Sequence, residues 1–261
     1  MSAETPYRLE LIGISKSYAR DGKPFQVLDN VSIRVREGEF VTLLGPSGSG
    51  KSTLFRLTGG VELPDAGEVR IGGKPATGER GLIGYMPQQA SLFPWMTVAG
   101  NIAAALEIAG VPRREALASA KEWLARIGLD AVAGEHPGVL SGGMQQRVSF
   151  LRALLMPRDV MCLDEPFAAL DALTRTEMQQ WLLRQWEERR RSVLFVTHSI
   201  EEALTLSDRI YVLSAAPARV LREIAVPFER PRRADVWMDP QFAELKRDIL
   251  GLLRRGDSDA V

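Results

Sequence analysis

Residues 45–53 read Gly-Pro-Ser-Gly-Ser-Gly-Lys-Ser-Thr, which fits the phosphate-loop pattern G-x-x-x-x-G-K-[ST] with Gly45, Gly50, Lys51 and Ser52 at its fixed positions. No other stretch restricts the fold as much, because this loop works only between a strand and a helix. Its glycines, with Pro46, Ser47, Gly48 and Ser49 between the fixed positions, let the backbone wrap a phosphate chain with amide N–H groups turned inward. Lys51 then reaches the β/γ-phosphates and the Ser52 hydroxyl holds Mg²⁺. The flanks agree. Glu39 to Leu44 (EFVTLL) is an apolar run suited to a buried parallel strand. Thr53 to Leu57 begins a helix whose N-terminus adds partial positive charge beside the phosphates.

The 261 residues allow one large domain, or one domain with a subdomain. With 33 basic and 33 acidic residues the formal net charge is zero, which argues against a dedicated nucleic-acid binder. Cys162 is the only cysteine and reads as a small buried hydrophobe in an apolar run. The N-terminal residues show no basic segment followed by an apolar stretch, and no apolar run reaches 18 residues. The expectation is a soluble intracellular chain that does not itself span a membrane.

Strands are expected at Leu9 to Tyr18, Val27 to Val35 and Glu39 to Leu44, and a turn at Pro64 to Gly67 leads into another strand pair. Residues 81–86 (GLIGYM) read as a buried strand before Pro87. Helical spacing runs from Val98 to about Gly128 and again from Ser141 to Leu155. Strands at Val160–Leu163, Val193–Thr197 and Arg209–Leu213 then alternate with helices at Asp171–Arg190 and Glu201–Leu206. Such alternation predicts an α/β fold with a mostly parallel core sheet, a phosphate-loop NTPase. Around it stand an N-terminal antiparallel β subdomain and an inserted α-helical subdomain at about residues 90–157. One nucleotide-binding domain is expected over 1–230, and 231–261 form a tail with an amphipathic helix over Phe242 to Leu253.

Two further stretches carry chemistry. Val160 to Glu165 (VMCLDE) is an apolar strand ending in two acids. A carboxylate there, Asp164, suits Mg²⁺, a hard cation that prefers oxygen ligands. The adjacent Glu165 can orient or deprotonate an attacking water. In Leu140 to Arg147 (LSGGMQQR), Ser141 followed by Gly142 and Gly143 at a helix start presents a hydroxyl, backbone amides and a helix dipole to an anion. The first loop already cradles one set of phosphates, so a second anion-binding turn needs its own explanation.

LSGGMQQR resembles the signature motif of the ATP-binding cassette (ABC) ATPases, and the resemblance extends over roughly residues 8–226. It implies roles for four more residues. Tyr18 in SKSY matches the aromatic that stacks on adenine, and Gln88 in YMPQQASLFPW matches the glutamine that reaches Mg²⁺ and the attacking water. Asp171 in FAALD matches the loop that crosses to the partner subunit, with Ala168 where Gly or Ser is common. His198 in LFVTHS matches the histidine contacting the γ-phosphate, whereas His136 reads as a surface residue. In this family the signature motif of one subunit completes the ATP site of another, so two copies of this chain imply two complete sites in a homodimer.

The run LFPWMTV followed by Asn101-Ile102, the LSGGMQQRV motif and the DEPFAALDALTR segment resemble the nitrate/sulfonate/taurine branch of bacterial importers. That implies a peripheral ATPase on the cytoplasmic face of the inner or plasma membrane. Its permease subunits would dock near Phe93–Trp95, and a solute-binding protein would act indirectly. Trp95 alternatively fills the core of the helical subdomain. The other functional class is a cassette ATPase clamping nucleic acid, which the neutral charge and the lack of long coiled-coil heptads disfavour.

Overall fold

The computed structural model describes residues 6–20, 22–233 and 235–258. In chain order the elements are β1 (Tyr7–Arg20), β2 (Lys23–Arg36), β3 (Phe40–Leu44), α1 (Lys51–Thr58), β4 (Ala66–Ile71), β5 (Lys74–Pro75) and β6 (Gly84–Met86). Then follow α2 (Val98–Ile108), α3 (Arg113–Arg126), α4 (Gly142–Leu155), β7 (Val160–Asp164), α5 (Ala172–Arg189) and β8 (Ser192–Thr197). The chain continues through α6 (Ile200–Leu206), β9 (Arg209–Leu213), β10 (Val220–Ala225) and α7 (Pro240–Ser258).

Two sheets result. A four-stranded antiparallel sheet has the order β2-β1-β4-β5, and a six-stranded sheet the order β10-β9-β3-β8-β7-β6. The second is parallel except for β10, which pairs antiparallel with β9. In β3, β7, β8 and β9 every residue is buried, as strands covered on both faces must be. The period-2 alternation of their side chains separates two cores. Met161, Leu163, Val193 and Phe195 face a cluster with the helices α2 to α5, while Val160, Cys162, Leu194 and Val196 face α1 and the antiparallel sheet.

Three features differ from expectation. The helical stretch from Val98 breaks at Gly110 (φ +85°), and Pro112 opens a separate α3. The strand expected at 81–86 shortens to Gly84–Met86, because Gly81 turns in the left-handed region at φ +76°. The edge strand β10 was not anticipated; it has no fully buried residue, so no apolar run announces it. The C-terminal helix packs on its own chain, with Phe242 and Ile249 against Ile200, Leu204 and Ile210.

The parallel pairing brings three strand ends level. Leu44 pairs with Thr197 and Asp164 with Val196, so β3, β7 and β8 release their chains at one edge of the sheet. Ligands in open α/β sheets sit outside such carboxyl ends.

Candidate functional site

The loop leaving β3 folds around Lys51. The Lys51 Nζ donates to Gly45 O at 2.9 Å, Pro46 O at 2.6 Å and Ser49 Oγ at 3.2 Å. Gly50 is required here: its φ is +83°, and a Cβ would meet Val27 Cγ1 at 2.7 Å and Leu28 Cδ2 at 2.8 Å. Gly48, at φ +78°, is exposed with Ser47, whereas Ser49 and Thr53 are buried. Burial lowers the Lys51 ammonium pKa, and the nearby Glu165 and Asp164 carboxylates pull it back up. A buried cation in this position favours an anionic ligand.

Asp164, at the end of β7, is buried and accepts a hydrogen bond from the exposed Ser52 hydroxyl. Burial raises its pKa, against that hydrogen bond and the Lys51 charge. Glu165 follows at φ +47°, an uncommon conformation for a residue with a side chain, anchored by its N–H donating to Val196 O at 3.0 Å. His198 Nδ1, at the end of β8, lies 3.2 Å from Glu165 Oε2, and Gln88 Nε2 lies 3.4 Å from the same oxygen. Ser47, Gly48 and Gly50–Thr53 of the loop line one cavity of about 320 Å³ with Gln88 and Glu165, while Gly45, Pro46, Ser49 and His198 do not reach its wall.

Ser52 and Gln88 line that cavity, and Asp164 lies buried behind Ser52 without lining it; these hard oxygen donors suit Mg²⁺. Among the described residues no cluster of three or more His, Cys, Asp or Glu is placed to hold a metal. Such a set leaves positions for phosphate oxygens and water, which is how Mg²⁺ is usually held.

Not every expected residue joins this cavity. Tyr18 stands beside α1, its hydroxyl hydrogen-bonded to Glu62 and Thr53 and its ring facing Lys16 and Arg56 at 5.6 and 6.0 Å. Ser141 caps α4, its Oγ accepting from Met144 N at 3.3 Å, and it is exposed together with Gly142. A Cβ on Gly143 would come within 3.3 Å of Leu170 Cδ2. Asp171 caps α5 by accepting from Thr174 N at 3.0 Å, also in solvent. None of Ser141, Gly142, Gly143 and Asp171 lines the cavity of loop 45–53.

Sequence reasoning missed several supporting residues. Val27 lines the cavity from β2. Gln146, buried in α4, donates from Nε2 to Gln88 O at 3.3 Å, tying α4 to the loop that carries Gln88. Arg152 donates to Ala90 O at 3.2 Å and Ser91 O at 3.0 Å. Both lie on the helical spacing of α4 and carried no separate signal. Trp95 is 71% exposed, so it does not fill the core of the helical layer. Its ring lies 5.4 Å from that of Phe93 in a tilted pair, and the buried Asn101 fixes that segment by accepting from Phe93 N at 2.7 Å.

Comparison with known proteins agrees with this geometry. Residues 28–168 match the family described as ABC transporter. The chain is 44% identical to the formylaminopyrimidine import ATP-binding protein of Halalkalibacterium halodurans, over 87% of this chain and 90% of that one. It is 39% identical to an aliphatic sulfonates import ATP-binding protein of Bacillus cereus, over 94% and 95% of the two chains. A bicarbonate transport ATP-binding protein of Synechocystis is 41% identical, with coverage of 94% and 88%. Among solved structures, a dimeric ATP-binding cassette in a post-hydrolysis state with ADP and Pi superposes with a TM-score of 0.77 at 33% identity. That match covers 85% of this chain and 100% of the solved one.

Proposed function

This chain belongs to the ABC transporter family and is an ATPase of that family, and from that premise we propose that it powers the import of a small solute of the nitrate, sulfonate or taurine kind. The relatives' names support import, since they handle sulfonates, formylaminopyrimidine and bicarbonate. Residues 1–230 form the ATPase domain in this reading, with the helical subdomain at about 90–157 and the tail at 231–261.

One observation carries the mechanism: the exposed Ser141–Gly143 turn lies outside the phosphate cavity of its own chain. The Ser141 hydroxyl proton, the backbone amides of the turn and the helix dipole therefore suit the phosphates of a second copy. Two chains related by a two-fold axis lend each other this turn, and the loop at Asp171 lies between them. ATP binds on loop 45–53, with Lys51 exchanging its carbonyl partners for phosphate oxygens and Tyr18 beside the adenine. Ser52 and Gln88, with Asp164 behind, would hold Mg²⁺, which when bound would neutralise phosphate charge. Glu165 orients the attacking water, and His198 contacts the γ-phosphate. Hydrolysis removes the contacts that glue the two copies, and the dimer opens.

Permease subunits dock at Phe93–Trp95, where a rigid aromatic pair stands in solvent beside the glutamine loop. A solute-binding protein acts at the far side of that permease. The chain works peripherally at the cytoplasmic face of the membrane; among its described residues no helix is long and apolar enough to cross one. Affinity purification from detergent-solubilised membranes tests this. A membrane subunit that remains bound through washing supports the reading. Recovery of nucleic acid that salt releases, without a membrane subunit, would overturn it.

A further inference from the structure

The turn holding His198 contains a buried acid that the scheme above does not use. Glu202 is only 8% exposed, yet Ser199 caps α6, which places Glu202 at the third helical position. In an ordinary capping box the side chain there returns to the N–H of the capping residue and stays near solvent. Here the Ser199 hydroxyl accepts from Glu202 N at 3.2 Å, but the Ser199 N–H donates to Thr197 Oγ1 at 3.0 Å instead. Glu202 Oε2 accepts from the Thr197 hydroxyl at 2.6 Å, and Oε1 accepts from Gln179 Nε2 of α5 at 3.1 Å.

The neighbouring Glu201 shows what a plain surface acid does in this helix: it lies in solvent and pairs with Lys246 at 2.5 Å. Glu202 is instead carried inward, and burial raises its pKa against the hydrogen bonds from Thr197 and Gln179. Helix capping alone gives no reason to bear that desolvation cost. The hydrogen bonds do give one. Thr197 Oγ1, held by Glu202, fixes the backbone on both sides of His198. A cavity of about 50 Å³ joins Glu202 and Arg175 to His198 and Glu165. Arg175 also donates to Leu170 O at 2.9 Å, on the segment between Glu165 and Asp171.

We propose that Glu202 is a positioning residue for His198: through Thr197 it sets the imidazole opposite Glu165, and through Gln179 it locks that turn to α5. The inference rests on the role given to His198 in hydrolysis.

The test is steady-state ATP hydrolysis by the full chain under conditions where the wild type turns over. Glu202→Gln should lower kcat at least about tenfold, as displacement of a reacting group does, with the KM for ATP within twofold and the melting temperature nearly unchanged. Thr197→Val should copy that loss, while Thr197→Ser, which keeps the hydroxyl, should restore most of kcat; this pair decides the matter even if the Glu202 variant folds poorly. In a His198→Ala background, Glu202→Gln should cost no more than twofold further. A full additional loss there, or an unchanged kcat for Glu202→Gln and Thr197→Val, overturns the positioning role. If His198→Ala itself leaves kcat unchanged, the role of His198 falls and this inference falls with it.

Discussion

His198 Nδ1 and Gln88 Nε2 converge on the same oxygen of Glu165, at 3.2 and 3.4 Å. The second carboxylate oxygen has no such partner from either residue, and the proposed mechanism assigns it to the attacking water. Glu165→Gln keeps the shape of the side chain and removes the base. Hydrolysis should fall at least about 100-fold, the scale of a lost general base, with ATP affinity within about threefold of wild type. Single-turnover hydrolysis and equilibrium nucleotide binding check the two halves separately. An equal loss in both would mean that Glu165 holds ATP rather than the water.

Lys51 makes three hydrogen bonds to its own loop from a buried ammonium. A triphosphate offers that charge better partners than two carbonyls and a hydroxyl. Lys51→Ala should therefore weaken ATP binding by about 10- to 100-fold, the range for a hydrogen bond to a charged group. Titration calorimetry reads this directly, and an unchanged affinity would remove Lys51 from the site.

The segment around Trp95 is held without Trp95. Asn101 fixes Phe93, and the Arg152 guanidinium lies 5.4 Å over the Phe93 ring. Trp95→Ala should change stability by less than about 0.5 kcal/mol, as surface substitutions do, and leave basal hydrolysis within twofold. Binding to the membrane partner should be lost. Unfolding of the isolated chain would show that Trp95 supports the fold and would remove the docking role.

Asp65 ties the start of β4 to β1, accepting from Lys16 Nζ at 2.9 Å and Ser17 N at 2.6 Å. Those bonds, the Lys16 one foremost, hold its carboxyl below the usual carboxylate range. A carboxyl depressed in the folded state adds stability above its unfolded value of about 3.9, and that contribution disappears as pH falls through the folded value. The stability gap between wild type and Asp65→Asn should be under about 1 kcal/mol for so exposed a pair. It should be full at neutral pH and close below about pH 3.9. Urea unfolding at several pH values measures it; a gap that widens in acid would contradict the assignment.

Much of this was legible because the central strands are uniform. VMCLD and SVLFVT are buried on both faces and end where the chemistry begins, so apolar runs placed Asp164 and the turn of His198 at one sheet edge. The helix expected at Asp171–Arg190 appears as Ala172–Arg189 with Asp171 as its cap, since an acid before a helical run is a strong start signal. Tertiary packing decided the rest. Glu165 adopts φ +47° because Val196 O holds its N–H, and a glutamate carries no sequence mark of that conformation. Trp95 offered both a core and a surface reading, and only the packing of its neighbours places it in solvent. Glu202 and Gln146 looked like ordinary helix residues until the turns they hold were in view.

The central claim is that the ATP site is shared between two copies of the chain. Light scattering of Glu165→Gln, with and without ATP and Mg²⁺, tests it most directly. The account predicts one chain's mass without nucleotide, twice that mass with it, and no doubling once Ser141→Arg is added. A particle of one chain's mass at saturating ATP, with ATP bound, would contradict it.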